Sequence, residues 1–189
     1  MQLSANRMQT LIQDLLTYSR TNVTDRNFVK KDINDIIDEV RADLTELIHE
    51  KQARIEVQDL CEVWMIPFQF VQMMHNLIGN ALKFSRDEIN PVIKISCKDV
   101  KGQEAGIEKL IPEKHYCQII VEDNGIGFEG QYSDRIFEVF QRLHEKGEYS
   151  GTGIGLSIVK KIVENHNGTI LASGIPGSGA RFDIFIPYK

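Results

Sequence analysis

Hydrophobic positions follow two periods along this chain, and the change from one to the other marks its elements. Pro67 to about Phe84 carries Phe70, Val71, Met74, Leu77, Ile78, Ala81 and Leu82 on one side of a 3.6-residue projection. That predicts an amphipathic helix opened by proline at its first turn, where the missing N–H costs nothing. Asp32 to Lys51 keeps helical spacing through Ile33, Ile36, Ile37, Val40, Leu44, Leu47 and Ile48, and predicts one long helix. A further helix follows Gly151–Leu156 and runs to about His166, with Leu156, Val159, Ile162 and Val163 as its apolar stripe. Residues 3–20 also read as a helix, with Met8, Leu11, Leu15 and Tyr18 at a/d spacing. Two readings of that stretch stand level: a helix packed on its own domain, or part of a coiled coil or bundle.

Elsewhere the period falls to two. Short strands are expected at 54–58 and 62–65 with a turn near Asp59. Long strands are expected at 91–100 and 114–121, and a closing hairpin at 168–173 and 180–186. A polar linker and a short strand occupy 21–31. Ser133-Asp134 reads as the N-cap of a short helix ending near Phe140, and the charged segment 141–150 as a mobile one.

Three places depart from this background. Asn76, Asn80 and Lys83 stand at i, i+4 and i+7, opposite the apolar side of their helix. Asparagine is a poor helix former, so a merely solvated face would favour Lys and Glu there. Amide oxygens one turn apart suit a hard cation, and a lysine one turn on suits phosphate. Asp123-Asn124-Gly125-Ile126-Gly127 ends an apolar run. Taken alone it reads best as a strand-ending turn with a solvated aspartate, although its glycines would let backbone approach a ligand closely. Gly151-Thr152-Gly153-Ile154-Gly155-Leu156 runs into a helix N-terminus, an arrangement that favours an anion through free N–H groups and the helix dipole.

Composition changes the picture little. The 189 residues are 42% hydrophobic and 26% charged, with a net charge of −5. This excess of acid disfavours a broad nucleic-acid footprint. No apolar run approaches the roughly 18 to 20 residues that span a bilayer. Cys61, Cys97 and Cys117 lack C-x-x-C spacing, so reduced, buried thiols are expected, and the chain reads as cytoplasmic with no membrane contact of its own.

Spacing separates the nucleotide folds. A dinucleotide-binding G-x-G-x-x-G would need glycine where Leu156 stands, a P-loop would need Gly-Lys-Ser/Thr, and protein-kinase H-R-D and D-F-G motifs are absent. What the chain does have is an ordered set: Asn76 to Phe84, Asp123 to Gly127, Phe137 to Phe140, and Gly151 to Leu156. Together these resemble the N, G1, F and G2 boxes of sensor histidine kinases, members of the Bergerat-fold group with gyrase, heat-shock-90 chaperones and mismatch-repair proteins. The resemblance covers about residues 27–189. Residues 1–20 look like the second helix of a dimerisation and histidine-phosphotransfer hairpin.

The resemblance implies an α/β (α+β) two-layer sandwich, a mixed sheet with helices on one face, preceded by one bundle helix. It divides the chain into a bundle helix (1–20), a linker and first strand (21–31) and a catalytic ATP-binding domain (32–189) with an ATP lid at about 141–151. It implies ATP and Mg²⁺ as ligands. Asp123 would accept from the adenine amino group, with Gly125, Ile126 and Gly127 passing close to the base. Asn80 would hold Mg²⁺ with help from Asn76, Lys83 would meet phosphate beside Phe84, and Arg142 would reach the γ-phosphate. Gly151, Thr152, Gly153, Ile154, Gly155 and Leu156 would hinge the lid and line the phosphates, while Phe137 and Phe140 would anchor it.

Two departures sharpen the expectation. Position 76 is Asn where hydrolytic relatives carry a glutamate base, so binding with slow hydrolysis is expected. None of His49, His75, His115, His144 and His166 has the neighbours of a phosphoacceptor histidine. The chain is therefore expected to begin inside the phosphotransfer hairpin and to lack the acceptor. Ala180 stands where relatives often have Thr, which weakens expectations of polar contact from the last hairpin. The implied partners are a response-regulator receiver domain and a second copy joined through the phosphotransfer helices. Two other readings remain: an ATP-driven conformational switch and a degenerate, non-catalytic interaction module.

Overall fold

The computed structural model describes residues 27–141 and 152–188. The expected helix at 1–20, Arg142, His144 and Gly151 lie outside the described residues.

Five strands form the main sheet: β2 (Arg54–Gln58), β4 (Val92–Lys101), β5 (His115–Asp123), β6 (Thr169–Ile175) and β7 (Gly179–Pro187), in the order β2-β4-β5-β7-β6. β2 runs parallel to β4 and every other neighbouring pair is antiparallel, so the sheet is mixed, as expected. β1 (Val29–Asp32) and β3 (Glu62–Met65) pair with each other in a separate two-stranded ladder. β2 and β3 lie either side of a turn at Asp59, whose φ is +49°, yet they enter different sheets.

Helices α1 (Ile33–Asp43), α3 (Pro67–Lys83) and α5 (Gly155–Asn165) form the second layer, with α3 packed against both of the others. α1 starts where the Asp32 carboxylate accepts the Asn34 N–H at 2.8 Å, a side-chain N-cap. Its Ile33, Ile36, Ile37 and Val40 are buried. Removing one such isoleucine side chain to Ala costs about 2–5 kcal/mol. The single helix expected from Asp32 to Lys51 breaks at Leu44, and α2 (Thr45–Glu50) follows. The Thr45 hydroxyl lies 2.9 Å from the carbonyls of Arg41 and Ala42, so it donates where continuing backbone N–H groups would have done. The core joins α1, α3 and α5 to one face of the sheet through Ile93, Ile95, Ile119, Val121, Ile184 and Ile186.

A four-residue helix, α4 (Gly102–Ala105), and the loop after it cover a smaller apolar cluster of Leu110, Tyr116 and Phe185. The helix expected from Ser133 to Phe140 is replaced by two 3-10 turns, Gly130–Tyr132 and Arg135–Phe137. Asp134 makes no side-chain capping bond, and the Ser133 hydroxyl donates back to the Gly130 carbonyl instead.

Of the described histidines, His49, His75 and His115 are exposed, while His166 is buried. His166 Nε2 accepts the Ile66 N–H at 3.0 Å and Nδ1 lies 2.7 Å from the Ile162 carbonyl. This fixes a neutral ring with its proton on Nδ1. Phe28 and Phe70 meet the ring edge-on. The histidine thus ties the end of α5 to the start of α3.

The expectation of three separate reduced thiols is corrected. Cys61, ahead of β3, is joined to Cys117 on β5 by a disulfide across 56 positions. Sequence spacing holds no trace of a contact made between separate layers of the fold. Cys97 remains a free, buried thiol, pushed up to about 11 mainly by burial.

Candidate functional site

Asp123 closes β5, opposite Ile93 on β4. Its Oδ1 accepts the Gly125 N–H at 2.8 Å and the Ala180 N–H at 3.2 Å. Burial pushes the carboxyl above the ordinary aspartate range, and the two N–H bonds partly offset that rise. The aspartate is therefore held rigidly, not left as the solvated turn residue that the pentapeptide alone favours. Ala180 supplies through its backbone the polar contact that its side chain lacks.

The loop beyond Asp123 is pressed against α3. Ile126 N–H donates to the Phe84 carbonyl at 3.0 Å. A Cβ on Gly125 would lie 2.4 Å from that same carbonyl oxygen, so any side chain there would displace the loop. Gly127 has φ +64°, and a Cβ there would meet the Ile175 carbonyl oxygen at 2.1 Å. Arg86, outside the motifs, and Asn124, inside the Asp123–Gly127 motif but given no role there, complete the clamp. Arg86 donates to the Asn124 carbonyl at 3.0 Å and to the Gly177 carbonyl at 2.7 Å. Asn124 accepts the Val92 N–H through Oδ1 at 2.8 Å and donates to the Asn90 carbonyl at 3.1 Å. A lone arginine in a polar stretch has no periodic signature, whereas Asn124 could have been suspected from the turn chemistry of Asp-Asn-Gly.

A second cluster forms eight residues back along α3. Asn76 Nδ2 donates to the Gln72 carbonyl at 2.9 Å, which leaves its Oδ1 facing Gly155 at the start of α5. A Cβ on Gly155 would stand 2.8 Å from that oxygen. The asparagine face and the glycine loop, expected on separate grounds, thus meet here. Asn80 is half-buried one turn on, and the Lys83 ammonium lies 4.4 Å from the centre of the Phe84 ring. Phe140 N–H donates to the Gly153 carbonyl at 3.0 Å, so the two described ends of the charged segment touch. Gly153 has φ +79°, and Ile154 is fully buried beneath it. Thr152 and Leu156 are half-buried alongside. Phe137 packs into the core as expected, but Phe140 leaves 58% of its surface exposed and holds position through its backbone, not by anchoring its ring.

Asn76 and Phe84 are eight residues apart on one helix, about 12 Å along its axis. One end offers a half-buried carboxylate beside backbone that passes close, with the Lys83 ammonium over the Phe84 ring, and the other offers amide oxygens and a helix N-terminus. That polarity suits a ligand with a base at one end and phosphates at the other.

Residues 66–189 match the family model described as histidine kinase-, DNA gyrase B-, and HSP90-like ATPase. The chain belongs to this ATPase family. Its relatives place it on the histidine kinase side. It is 39% identical over 180 residues to the phytochrome-like protein Cph1 of Synechocystis sp., an alignment covering 95% of this chain and 22% of that protein. Against the sensor kinase CckA of Brucella abortus it is 30% identical, covering 97% of this chain and 19% of the relative. The chain thus spans about a fifth of the length of these curated relatives. Among solved structures, full-length ShkA in complex with AMPPNP superposes with a TM-score of 0.74 at 23% identity, covering 97% of this chain and 37% of that one. The catalytic domain of histidine kinase ThkA gives 0.65 at 25% identity, over 85% of this chain and 95% of that domain. The mixed sheet with helices on one face is therefore the histidine kinase ATPase fold. No helix among the described residues is long and apolar enough to cross a membrane.

Proposed function

We propose that this chain binds Mg-ATP and serves as the catalytic part of a two-component sensor histidine kinase. It presents the γ-phosphoryl to a histidine supplied from outside these 189 residues, from which a response-regulator receiver aspartate takes it. The observation that carries this reading is the meeting of Asn76 with Gly155, which joins an amide oxygen to the glycine loop at a helix N-terminus.

The roles follow from position. Asp123 accepts from the adenine amino group, while Gly125, Ile126 and Gly127 let the backbone lie against the base. Asn80 and Asn76 offer neutral, hard oxygens that fit Mg²⁺. The ion, when bound, neutralises charge on the phosphates. Lys83 and Arg142 pair with phosphate oxygens, and Gly151, Gly153 and Gly155 keep the loop close, with Thr152, Ile154 and Leu156 fixing its course. Residues 1–20 act as the second bundle helix through which two copies associate. The chemistry asked of these residues is placement and charge neutralisation, because phosphoryl transfer needs little covalent help from the protein. An amide at position 76 activates no water, which favours a kinase over an ATP-hydrolysing switch.

The test is labelling of the full-length protein with γ-labelled ATP. Acid-labile, base-stable labelling that disappears with Asn80→Ala supports the reading. Multiple-turnover phosphate release without protein labelling refutes it in favour of the switch.

A further inference from the structure

All three cysteines of the chain converge on one place. Cys61 comes from the connection into β3, Cys97 from β4 and Cys117 from β5, and their sulfurs lie within 4.8 Å of one another. In the register of β4 with β5, Cys97 pairs with Ile119 and Cys117 with Asp99, so the two cysteines are diagonal neighbours. Both are buried, and half-buried Cys61 gives the group one route to solvent. No His, Asp or Glu joins the group among the described residues.

We propose that, once its disulfide is reduced, this cluster is a three-thiolate site for a soft monovalent cation of the copper(I) type. The proposal is independent of the nucleotide site. A dithiol reductant breaks the Cys61–Cys117 bond, delivering two electrons and two protons to the two sulfurs, and is itself oxidised to a disulfide. The cation then displaces the protons of the three thiols and forms three metal–sulfur bonds.

Geometry selects the cation. With metal–sulfur bonds of about 2.3 Å, three sulfurs around a trigonal centre stand about 4.0 Å apart. The sulfurs here lie within 4.8 Å of one another, and reduction lets the bonded Cys61–Cys117 pair open toward that spacing. Soft thiolates suit copper(I), zinc and iron–sulfur clusters. Structural zinc closes on four protein ligands, and with three donors here, two of them buried, zinc would need a water as its fourth, whereas copper(I) is complete with three sulfurs.

The experiment uses the 189-residue chain, reduced anaerobically with dithiothreitol, desalted, and titrated with the copper(I)–bicinchoninate complex. Expected are one copper(I) withdrawn per chain, loss of all three titratable thiols, and an X-ray absorption shell of three sulfurs. Cys61→Ser is expected to weaken uptake on the order of 100-fold while the circular dichroism spectrum is kept. Should that variant fail to fold, Cys97→Ser makes the same comparison. A chain that withdraws no copper(I), or that binds zinc(II) in its place, overturns the proposal. So does uptake unchanged by either substitution, or a Cys61–Cys117 bond that survives dithiothreitol in the folded chain.

Discussion

Asp123→Asn isolates one atom of the site. Oδ1 is committed to two backbone donors, Gly125 N–H at 2.8 Å and Ala180 N–H at 3.2 Å. An asparagine keeps both bonds only by placing its oxygen there, which puts its NH₂ where the second carboxylate oxygen stood. An adenine amino group arriving at that position would meet a donor instead of an acceptor. A hydrogen bond to a charged group contributes about 1.5–3 kcal/mol, and here a donor–donor clash is added. A loss of about 2–3 kcal/mol corresponds to a roughly 30- to 150-fold rise in the Kd for Mg-ATP. Folding should change far less, because weaker bonds to a neutral amide are offset by easier burial, a net effect within about 1 kcal/mol. Titration calorimetry with Mg-ATP, paired with thermal unfolding, reads both quantities. Asp123→Ala is the contrasting variant: it orphans both N–H groups and should destabilise the fold by about 1–3 kcal/mol for each. An Asn variant that folds normally and binds Mg-ATP within twofold of the parent would refute the assignment of Asp123 to the base.

The remaining expectations use other parts of the molecule. Nucleotide affinity should fall as pH drops from about 7 toward 4, beginning above the ordinary aspartate value of about 3.9 because the Asp123 pKa is raised; the Asn variant should lack this component. For folding the sign is opposite: stability from neutral Asp123 is full below the unfolded value and is lost as pH rises through the folded one, which urea titrations across that range would detect. Gly127→Ala forces a side chain into φ +64° and against the Ile175 carbonyl, so a cost of about 2–5 kcal/mol is expected in urea unfolding. His166→Leu removes the acceptor of a buried N–H and should cost about 1–3 kcal/mol, measurable as a lower Tm. Cys97 should resist iodoacetamide at about pH 8 in the folded chain and react fully in denaturant, as mass spectrometry of the labelled chain would show.

The parts of the site legible in the sequence are those encoded over a few turns or a single loop. Pro67, the α3 stripe and the Asn76–Asn80 spacing each sit within one helix. The loop at Asp123 and the glycines before α5 are continuous segments, so local chemistry was sufficient to mark them. Contacts between segments left no such mark. Arg86 reaches Gly177 across 91 positions, and Cys61 reaches Cys117 across 56. The split at Leu44 depends on a hydroxyl that competes with backbone donors, and no periodicity records that competition. The pairing of β1 with β3 and the parallel seat of β2 beside β4 are choices of partner, which alternation within a strand does not express. The 3-10 turns around Phe137 stand where the expected cap is not made: Asp134 forms no capping bond and the Ser133 hydroxyl turns back to Gly130.

His166 against Ile66 and Asn76 against Gly155 lie at opposite ends of the α3–α5 seam, with Asn165 donating to Gln69 in between at 3.4 Å. A one-residue slip of α5 would move it about 1.5 Å, enough to break the buried histidine bond and alter the fit at Gly155 together. The seam therefore behaves as a bolted joint, stiff in shear. The helix that begins at Gly155 is thus held against α3 at both ends of the seam.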